Sequence, residues 1–476
     1  MTLINDVPVP SADLLDRQRS AHLAAGPASA AERRDRIQSV IDLLVRHHEE
    51  LAAAMDADFG GRHHGYSLMN DIVGSLGPLK HARDNLETWM QDDSRTPYAP
   101  YDQMGASCHV QYQAKGSVLI LGTWNAPLFT VLSPLAGVLA AGNRAVIKPS
   151  EITSRTAEVL QRVFTEEIDP DVVAVVTGGV DVAQELTSLP FDHIVVTGSA
   201  AVGRAVMANA AANLVPVTLE LGGKSPVIVG RSADLTSTAM KIAVAKATNG
   251  GQICVSPDTV HVPRENVDAL VEAVAAAFGT LHPTAAGNAD VVAAVNDRHL
   301  DRVDGYVRDA AERGARVVTA PDEDLSTTDR RRPLRIVVDP PADAAIRSEE
   351  IFGAAMIVQP YDTIDDVLAE LGTGPKALAL YYFGDDDEER DRVLARSTSG
   401  GVTVNNVMMH PGMNEAPFGG VGASGMGHYN GREGFLQFSH ARTVFLAPDA
   451  DPRGDWGMLP PYGEHFTPAM IAQITP

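Results

Sequence analysis

The chain has 476 residues, 45% of them hydrophobic and 21% charged, with a formal net charge of −23 and only two cysteines. Its length implies about three domain-sized units with room for a large core. The negative balance, with no long Lys/Arg block, argues against a nucleic-acid partner, and two cysteines argue against a disulfide framework or a Cys-cluster metal site.

At the amino terminus, Met1-Thr-Leu-Ile-Asn-Asp shows neither a basic stretch nor an apolar segment of the kind that targets secretion. No apolar run approaches membrane-spanning length, the nearest being Val131 to Ala141. A cytoplasmic protein without a membrane span is the expectation, in line with the low cysteine count.

From about Ala30 to Met90, apolar residues fall at helical spacing, as in Ile37, Val40, Ile41, Leu43, Leu44, Leu51 and Met55, and predict several packed helices. Cys108 to Tyr112 alternates in the manner of a strand or hairpin ahead of Gly116. Short apolar runs then alternate with helical segments: Ser117 to Leu121, Arg144 to Ile147, Val172 to Val176 and His193 to Val196. A second series follows at Val227 to Val229, Thr259 to Val262, Arg316 to Val318, Ile336 to Val338, Met356 to Gln359, Ala377 to Phe383 and Gly401 to Val404. This is the βαβ signature of parallel sheets, and it predicts two α/β domains joined near Glu220 to Lys224. Arg330 to Arg332 and the acidic run Asp385 to Asp391 read as solvated segments, the latter as a loop or a helix start. Val444 to Leu446 predicts a last strand before a Pro/Gly-rich tail that begins at Pro448.

Five segments carry chemistry. Gly122-Thr123-Trp124-Asn125-Ala126-Pro127 places an amide at a strand-to-helix corner, where it can donate to an oxyanion or cap the next helix. Lys148-Pro149-Ser150-Glu151 ends a strand; its charged pair suits ribose hydroxyls, and Ser150 with Glu151 equally suits a helix start. Gly198-Ser199, opening a helix through Val202 and Gly203, offers free N–H groups to a phosphate but matches neither the dinucleotide fingerprint nor a Walker loop. Glu220, between Leu219 and Leu221 and before Gly222-Gly223, is a carboxylate whose partial burial would raise its pKa and suit it to general-base work; taken alone, a structural glutamate bonded to backbone is the commoner reading. Asn249-Gly250-Gly251-Gln252-Ile253-Cys254 brings a thiol behind glycines that leave a substrate unobstructed; taken alone, such a thiol is more often a buried spectator than a nucleophile. Glu350-Ile351-Phe352-Gly353 adds a carboxylate beside an aromatic ring.

In this order the segments resemble the aldehyde dehydrogenase superfamily from about Ala31 to Ala447. Val-Thr-Leu-Glu220-Leu-Gly-Gly-Lys-Ser-Pro followed by Gly-Gln-Ile-Cys254 is a specific pair of signatures. Asn405-Asn406, Pro417-Phe418 through Ser424-Gly425, Phe438-Ser439-His440 and Pro460-Pro-Tyr-Gly463 are similar to the class 3 and coniferyl-aldehyde dehydrogenase branch.

The resemblance implies an α/β fold of two Rossmann-like parallel-sheet domains plus a small β oligomerisation element. Residues 1–98 and 116–223 would form the NAD-binding domain, 224–432 the catalytic domain, and 99–115 with 433–476 the oligomerisation element and tail, giving a homodimer. It implies that Cys254 attacks an aldehyde as a thiolate, that Asn125 and the Cys254 N–H hold the oxyanion, and that Glu220 activates the water that hydrolyses the thioester. It places Lys148, Ser150 and Glu151 at the adenosine ribose, Gly198, Ser199 and Val202 at the pyrophosphate, Glu350 and Phe352 at the nicotinamide ribose, with Thr123, Trp124, Leu221 and Gly222 also against the cofactor. NAD is the expected cofactor, because Glu151 would repel a 2′-phosphate, with NADP also accepted in this branch; no metal is needed. Ala126, Phe129, Thr130, Ser133 and Ser256 are the expected pocket residues, for an aromatic or medium-to-long aliphatic aldehyde. Ala126 stands where many relatives carry an aromatic residue and widens the channel; Ala354 stands where a proline is usual and loosens the adjacent turn. The rival readings are a CoA-acylating semialdehyde dehydrogenase and a catalytically silent member of the family acting as a structural or binding protein. A thiol hydrolase would need a base such as His193 or His261 beside Cys254.

Overall fold

A computed structural model of the chain describes residues 11–99, 101–325 and 329–476, so the expectation attached to Met1–Asp6 lies outside the described residues. The helical stretch consists of Ala30–Phe59, the short helix His64–Ser67, a π-helical turn Leu68–Val73 and Gly74–Trp89. The long helix begins in a capping box between Ser29 and Glu32 and stops at Gly60, whose left-handed φ of 68° closes its last turn. A further helix, Ser11–Ala25, precedes them without a strong apolar stripe to announce it.

Among the described residues the strands form three sheets. In the first, Val217–Leu221, His193–Gly198, Ser117–Leu121, Arg144–Lys148 and Val173–Val175 run parallel in that spatial order, covered by helices on both faces. Every residue of Ser117–Leu121 and Arg144–Lys148 is buried, as central parallel strands require. The chain winds outward in both directions from Ser117–Leu121, so the crevice between its carboxyl end and that of His193–Gly198 is the topological switch point where such sheets take ligands.

The second sheet has the order Arg316–Ala320, Leu334–Val338, Ala355–Tyr361, Thr259–Pro263, Pro226–Val229, Ala379–Phe383 and Gly401–Val404, parallel except at its first edge. Only Gly222–Ser225 separates the two sheets in sequence. The two-residue strand Gly425–Met426 lies far along the chain yet returns to pair with Leu219 and Glu220 on the edge of the first sheet. The third sheet joins Asp93–Arg95, Ser107–Ala114 and Ser439–Leu446, all antiparallel, and the last of these begins five residues earlier than the apolar pattern at Val444 marks.

Two surface readings resolve differently. Arg330 to Arg332 is not solvated: Arg330 donates to the carbonyls of Val295 and Phe59, Arg331 to that of Val291, and Arg332 pairs with Asp304. Spacing alone could not show this, because the backbone acceptors come from segments remote in sequence. The acidic run starts the helix Asp387–Arg396, capped by Asp386, where negative charge favours the helix N-terminus. Past Pro448 the chain makes turns and then the helix Phe466–Gln473. Among the described residues no helix is long and apolar enough to cross a membrane.

Candidate active site

The loop before Cys254 is built from three consecutive left-handed residues, Asn249, Gly250 and Gly251, with φ of 51°, 61° and 75°. A Cβ on Gly250 would fall 2.9 Å from the Val292 carbonyl, and one on Gly251 would run into the Gly353 carbonyl. The glycines therefore serve conformation and close backbone approach, rather than clearing a path for a substrate as their position beside the thiol suggests. Gln252 fastens the loop: its side chain donates to Asn249 and Ala293 carbonyls and accepts the Val295 amide at 3.0 Å. Cys254 follows, partly exposed.

Asn125 meets this loop from the first sheet. Its Nδ2 donates to the Gln252 carbonyl at 3.0 Å, and its own carbonyl accepts Nδ2 of Asn249 at 3.1 Å. It does not cap the following helix, Phe129–Ala140. That task falls to Asp71, whose Oδ1 accepts the amides of Leu128 and Phe129, while its Oδ2 is paired at 2.7 Å with a fully buried Arg62. Asp71 belongs to the π-helical turn, a geometry that often marks a functional region. Nothing in the spacing of Arg62 and Asp71 signals the contact, which spans the helical layer.

Glu220 is 2% exposed. Burial raises its pKa from 4.5 to about 7, against the opposing pull of the neighbouring Cys254 thiol and Thr197 hydroxyl. Burial likewise pushes the Cys254 thiol well above its ordinary value, reinforced by the negative charges of Glu220 and Glu350. Both carboxylates thus act on the thiol in the same direction as burial. Tyr429 stands behind them, 1% exposed and within electrostatic range of both groups. Sequence reasoning missed it; the return strand Gly425–Met426, paired to Glu220, is what delivers it.

The switch-point crevice carries the remaining candidates. Ser199 caps the helix Ala200–Ala211 by accepting the Val202 amide, and Gly203 lets that helix sit against Leu221 and Leu219, where a Cβ would clash. Lys148, 3% exposed, donates to Glu151 Oε2 at 3.0 Å, while Ser150 accepts the Ile152 amide, so the cap and the charged pair coexist. Partial burial opposes, but its own backbone amide and Lys148 outweigh, and the Glu151 carboxyl sits below its ordinary range. Across the crevice the Glu350 carboxylate presses on Gly222, where any Cβ would collide with it, and burial raises its pKa to about 7. Phe352, at φ 48°, stands edge-on to Trp124 with centroids 5.3 Å apart. The Lys148–Glu151 pair, the helix start at Ser199 and the Glu350 carboxylate against Gly222 all lie by this switch point, the place where such sheets take dinucleotides.

The aldehyde dehydrogenase family model matches residues 13–444. The chain belongs to the aldehyde dehydrogenase family. It is an NAD(P)-dependent enzyme of that family. A probable coniferyl aldehyde dehydrogenase of Caulobacter vibrioides is 46% identical over 97% of this chain and 96% of that protein. Two solved structures are similar: a substrate-bound Staphylococcus aureus AldH, with TM-score 0.90, 30% identity and coverage of 97% and 99%, and a Mycobacterium tuberculosis aldehyde dehydrogenase complexed with NAD+, with TM-score 0.82, 29% identity and coverage of 94% and 92%.

In this aldehyde dehydrogenase the pocket candidates separate. Thr130 bonds the Ala126 carbonyl and accepts the Thr123 amide, and Ser133 bonds Asn430. Phe129 is half-buried against Gly74, Ala126 is buried beside Asn125, and Ser256 is buried two residues past the thiol. Ala354 does not loosen its turn: Arg335 donates to its carbonyl at 3.0 Å and Arg302 holds the carbonyls of Glu350 and Ile351. His193 and His261 lie buried on strands, the first bonded to Thr218, and it is Glu220 that faces the thiol.

Proposed function

We propose that this aldehyde dehydrogenase oxidises an aldehyde to its acid by covalent catalysis and hydrolysis. Cys254 adds to the carbonyl carbon as its proton passes to Glu220, giving a thiohemiacetal. Asn125 Nδ2 and the Cys254 N–H hold the oxyanion while it exists. The nicotinamide cofactor, when bound, supplies the hydride acceptor that leaves a thioester on Cys254. Glu220 releases that first proton to solvent, then takes a proton from the water that attacks the thioester carbon and returns it to the departing Cys254 sulfur, so that the acid leaves and the thiol re-forms. The observation that carries this reading is the meeting of Cys254, Glu220 and Asn125 from three separate segments.

Lys148, Ser150 and Glu151 would hold the adenosine ribose, Gly198, Ser199 and Val202 the pyrophosphate, and Glu350 with Phe352 the nicotinamide ribose; Thr123, Trp124, Leu221 and Gly222 complete the groove. The Glu151 carboxylate favours NAD, with NADP accepted less well. The similarity to a probable coniferyl aldehyde dehydrogenase, together with small Ala126 beside Asn125, favours an aryl or arylalkenyl aldehyde. We take residues 1–98 with 116–223, 224–432, and 99–115 with 433–476 as the three functional units. The exposed edge strand Ser439–Leu446 favours a homodimer, and the cytoplasm is the proposed location. The test is a panel of aromatic and aliphatic aldehydes assayed with NAD and NADP, with and without coenzyme A, and with product analysis. Free acid made without coenzyme A supports hydrolysis; acyl-CoA as the sole product would overturn it, as would the absence of NADH from every aldehyde.

A further inference from the structure

Glu350 is gripped from both sides by a single ion pair. Lys224 Nζ donates to the carbonyl of Glu349 at 3.1 Å and to that of Ile346 at 2.7 Å. Asp258 Oδ2 accepts the amide of Ile351 at 2.9 Å, and its Oδ1 pairs with Lys224. The backbone immediately before Glu350 and immediately after it is therefore fastened to the same two side chains. The Glu350 carboxylate in turn accepts the Gly223 amide and lies against Gly222, the two residues that lead into Lys224.

Placement along the chain extends the connection to the chemistry. Lys224 stands four residues beyond Glu220, and Asp258 four beyond Cys254. Asp258 is further fixed by its own amide, which donates to the Ser225 carbonyl at 3.0 Å, by its carbonyl, which accepts the Ile357 amide, and by the Thr259 hydroxyl. The Asp258 side chain is 4% exposed. Burying an ion pair carries a desolvation cost that apolar packing does not, and removing one partner strands the other. Such a pair, astride one residue and close in sequence to the strand carrying the base and the loop carrying the nucleophile, registers three parts of the site against one another.

We propose that Lys224 and Asp258 are positioning residues that fix the Glu350 clamp relative to Cys254, and so set the alignment of cofactor and thiol. The inference rests on reading Glu350 as the nicotinamide-ribose clamp. Reacting groups displaced by about 1 Å lose on the order of 100-fold in rate, so a slackened turn has a measurable effect.

The variants are Lys224→Gln and Asp258→Asn, with Lys224→Arg as the conservative change and Glu350→Gln as the reference. Three readouts apply: NAD+ dissociation constant from quenching of protein fluorescence, first-turnover NADH formation, and alkylation of Cys254 by iodoacetamide in the cofactor-free protein. Lys224→Gln and Asp258→Asn are expected to weaken NAD+ binding and slow the first turnover by roughly 10- to 100-fold, with alkylation nearly unchanged and Lys224→Arg restoring most of the loss. In a Glu350→Gln background, Lys224→Gln should add less than about threefold, because the two act through one contact. Additive effects, or a folded Lys224→Gln protein with unaltered NAD+ binding and first turnover, would overturn the proposal. Should Lys224→Gln fail to fold, Asp258→Asn, which keeps an oxygen for the Ile351 amide, decides by the same readouts. An unaffected Glu350→Gln removes the clamp reading and this proposal with it; an impaired Glu350→Gln beside an unaffected Lys224→Gln removes the proposal alone.

Discussion

The Cys254 thiol faces the buried Glu220 carboxylate, and each alters the other: the thiol draws the carboxyl pKa down while the carboxylate pushes the thiol up. In the proposed mechanism, attack on an aldehyde passes the thiol proton to Glu220, which acts again as base at hydrolysis.

Replacing Cys254 with Ala should abolish NADH production and leave NAD+ binding nearly unchanged, since the sulfur lies beyond the proposed cofactor groove. Steady-state assay beside a fluorescence titration checks this; retained turnover contradicts the nucleophile assignment.

Replacing Glu220 with Gln should lower steady-state turnover by on the order of 10²- to 10⁴-fold while a first burst of NADH survives. In the native enzyme burial places the Glu220 pKa at about 7, so the ionised base becomes more abundant, and kcat rises, as pH increases through about 7. The variant should lose that limb. A pH–rate profile of both proteins measures it, and an unchanged limb would assign the titration elsewhere, Glu350 being the other carboxylate raised to about 7.

The same two carboxyls make stability depend on pH. Each has a folded pKa raised from 4.5 to about 7, so the folded chain holds protons that the unfolded chain has released. Their contribution is fully present below about pH 4.5 and is lost as pH rises through about 7. Denaturation midpoints at several pH values should show Glu220→Gln flattening part of that decline.

Removing the charge of Glu151, as Gln, should improve NADP relative to NAD by about three- to tenfold, a modest change because the side chain is partly solvated. The ratio of kcat/KM for the two cofactors is the measurement, and an unaltered ratio places the 2′-phosphate elsewhere.

Gly251→Ala should cost about 1–3 kcal/mol and most of the activity, because φ of 75° and the Gly353 carbonyl leave no room for Cβ. A lowered unfolding midpoint together with slower alkylation of Cys254 would show the loop displaced. Full activity would mean the loop relaxes without consequence.

Much of this protein was legible in order alone. Alternating apolar runs and Gly/Pro punctuation give two parallel sheets, since buried strands and amphipathic helices have different periods that survive in one dimension. The segments around Asn125, Lys148, Gly198, Glu220, Cys254 and Glu350 each leave alternatives open, and only their succession, through the resemblance to the family, implies the roles proposed for them. Tertiary structure alone decided which readings hold at each place. Asn125 became a partner of the Cys254 loop because Asp71, from a distant helical turn, had already capped its helix. The glycines before Cys254 proved conformational because Val292 and Gly353 crowd them. Arg330 to Arg332 turned inward to carbonyls no local pattern reveals. The ionisation of Cys254 and Glu220, and the grip of Lys224 and Asp258 on Glu350, depend on burial and on contacts between strands. Both are properties of three-dimensional proximity, which a sequence encodes but does not display.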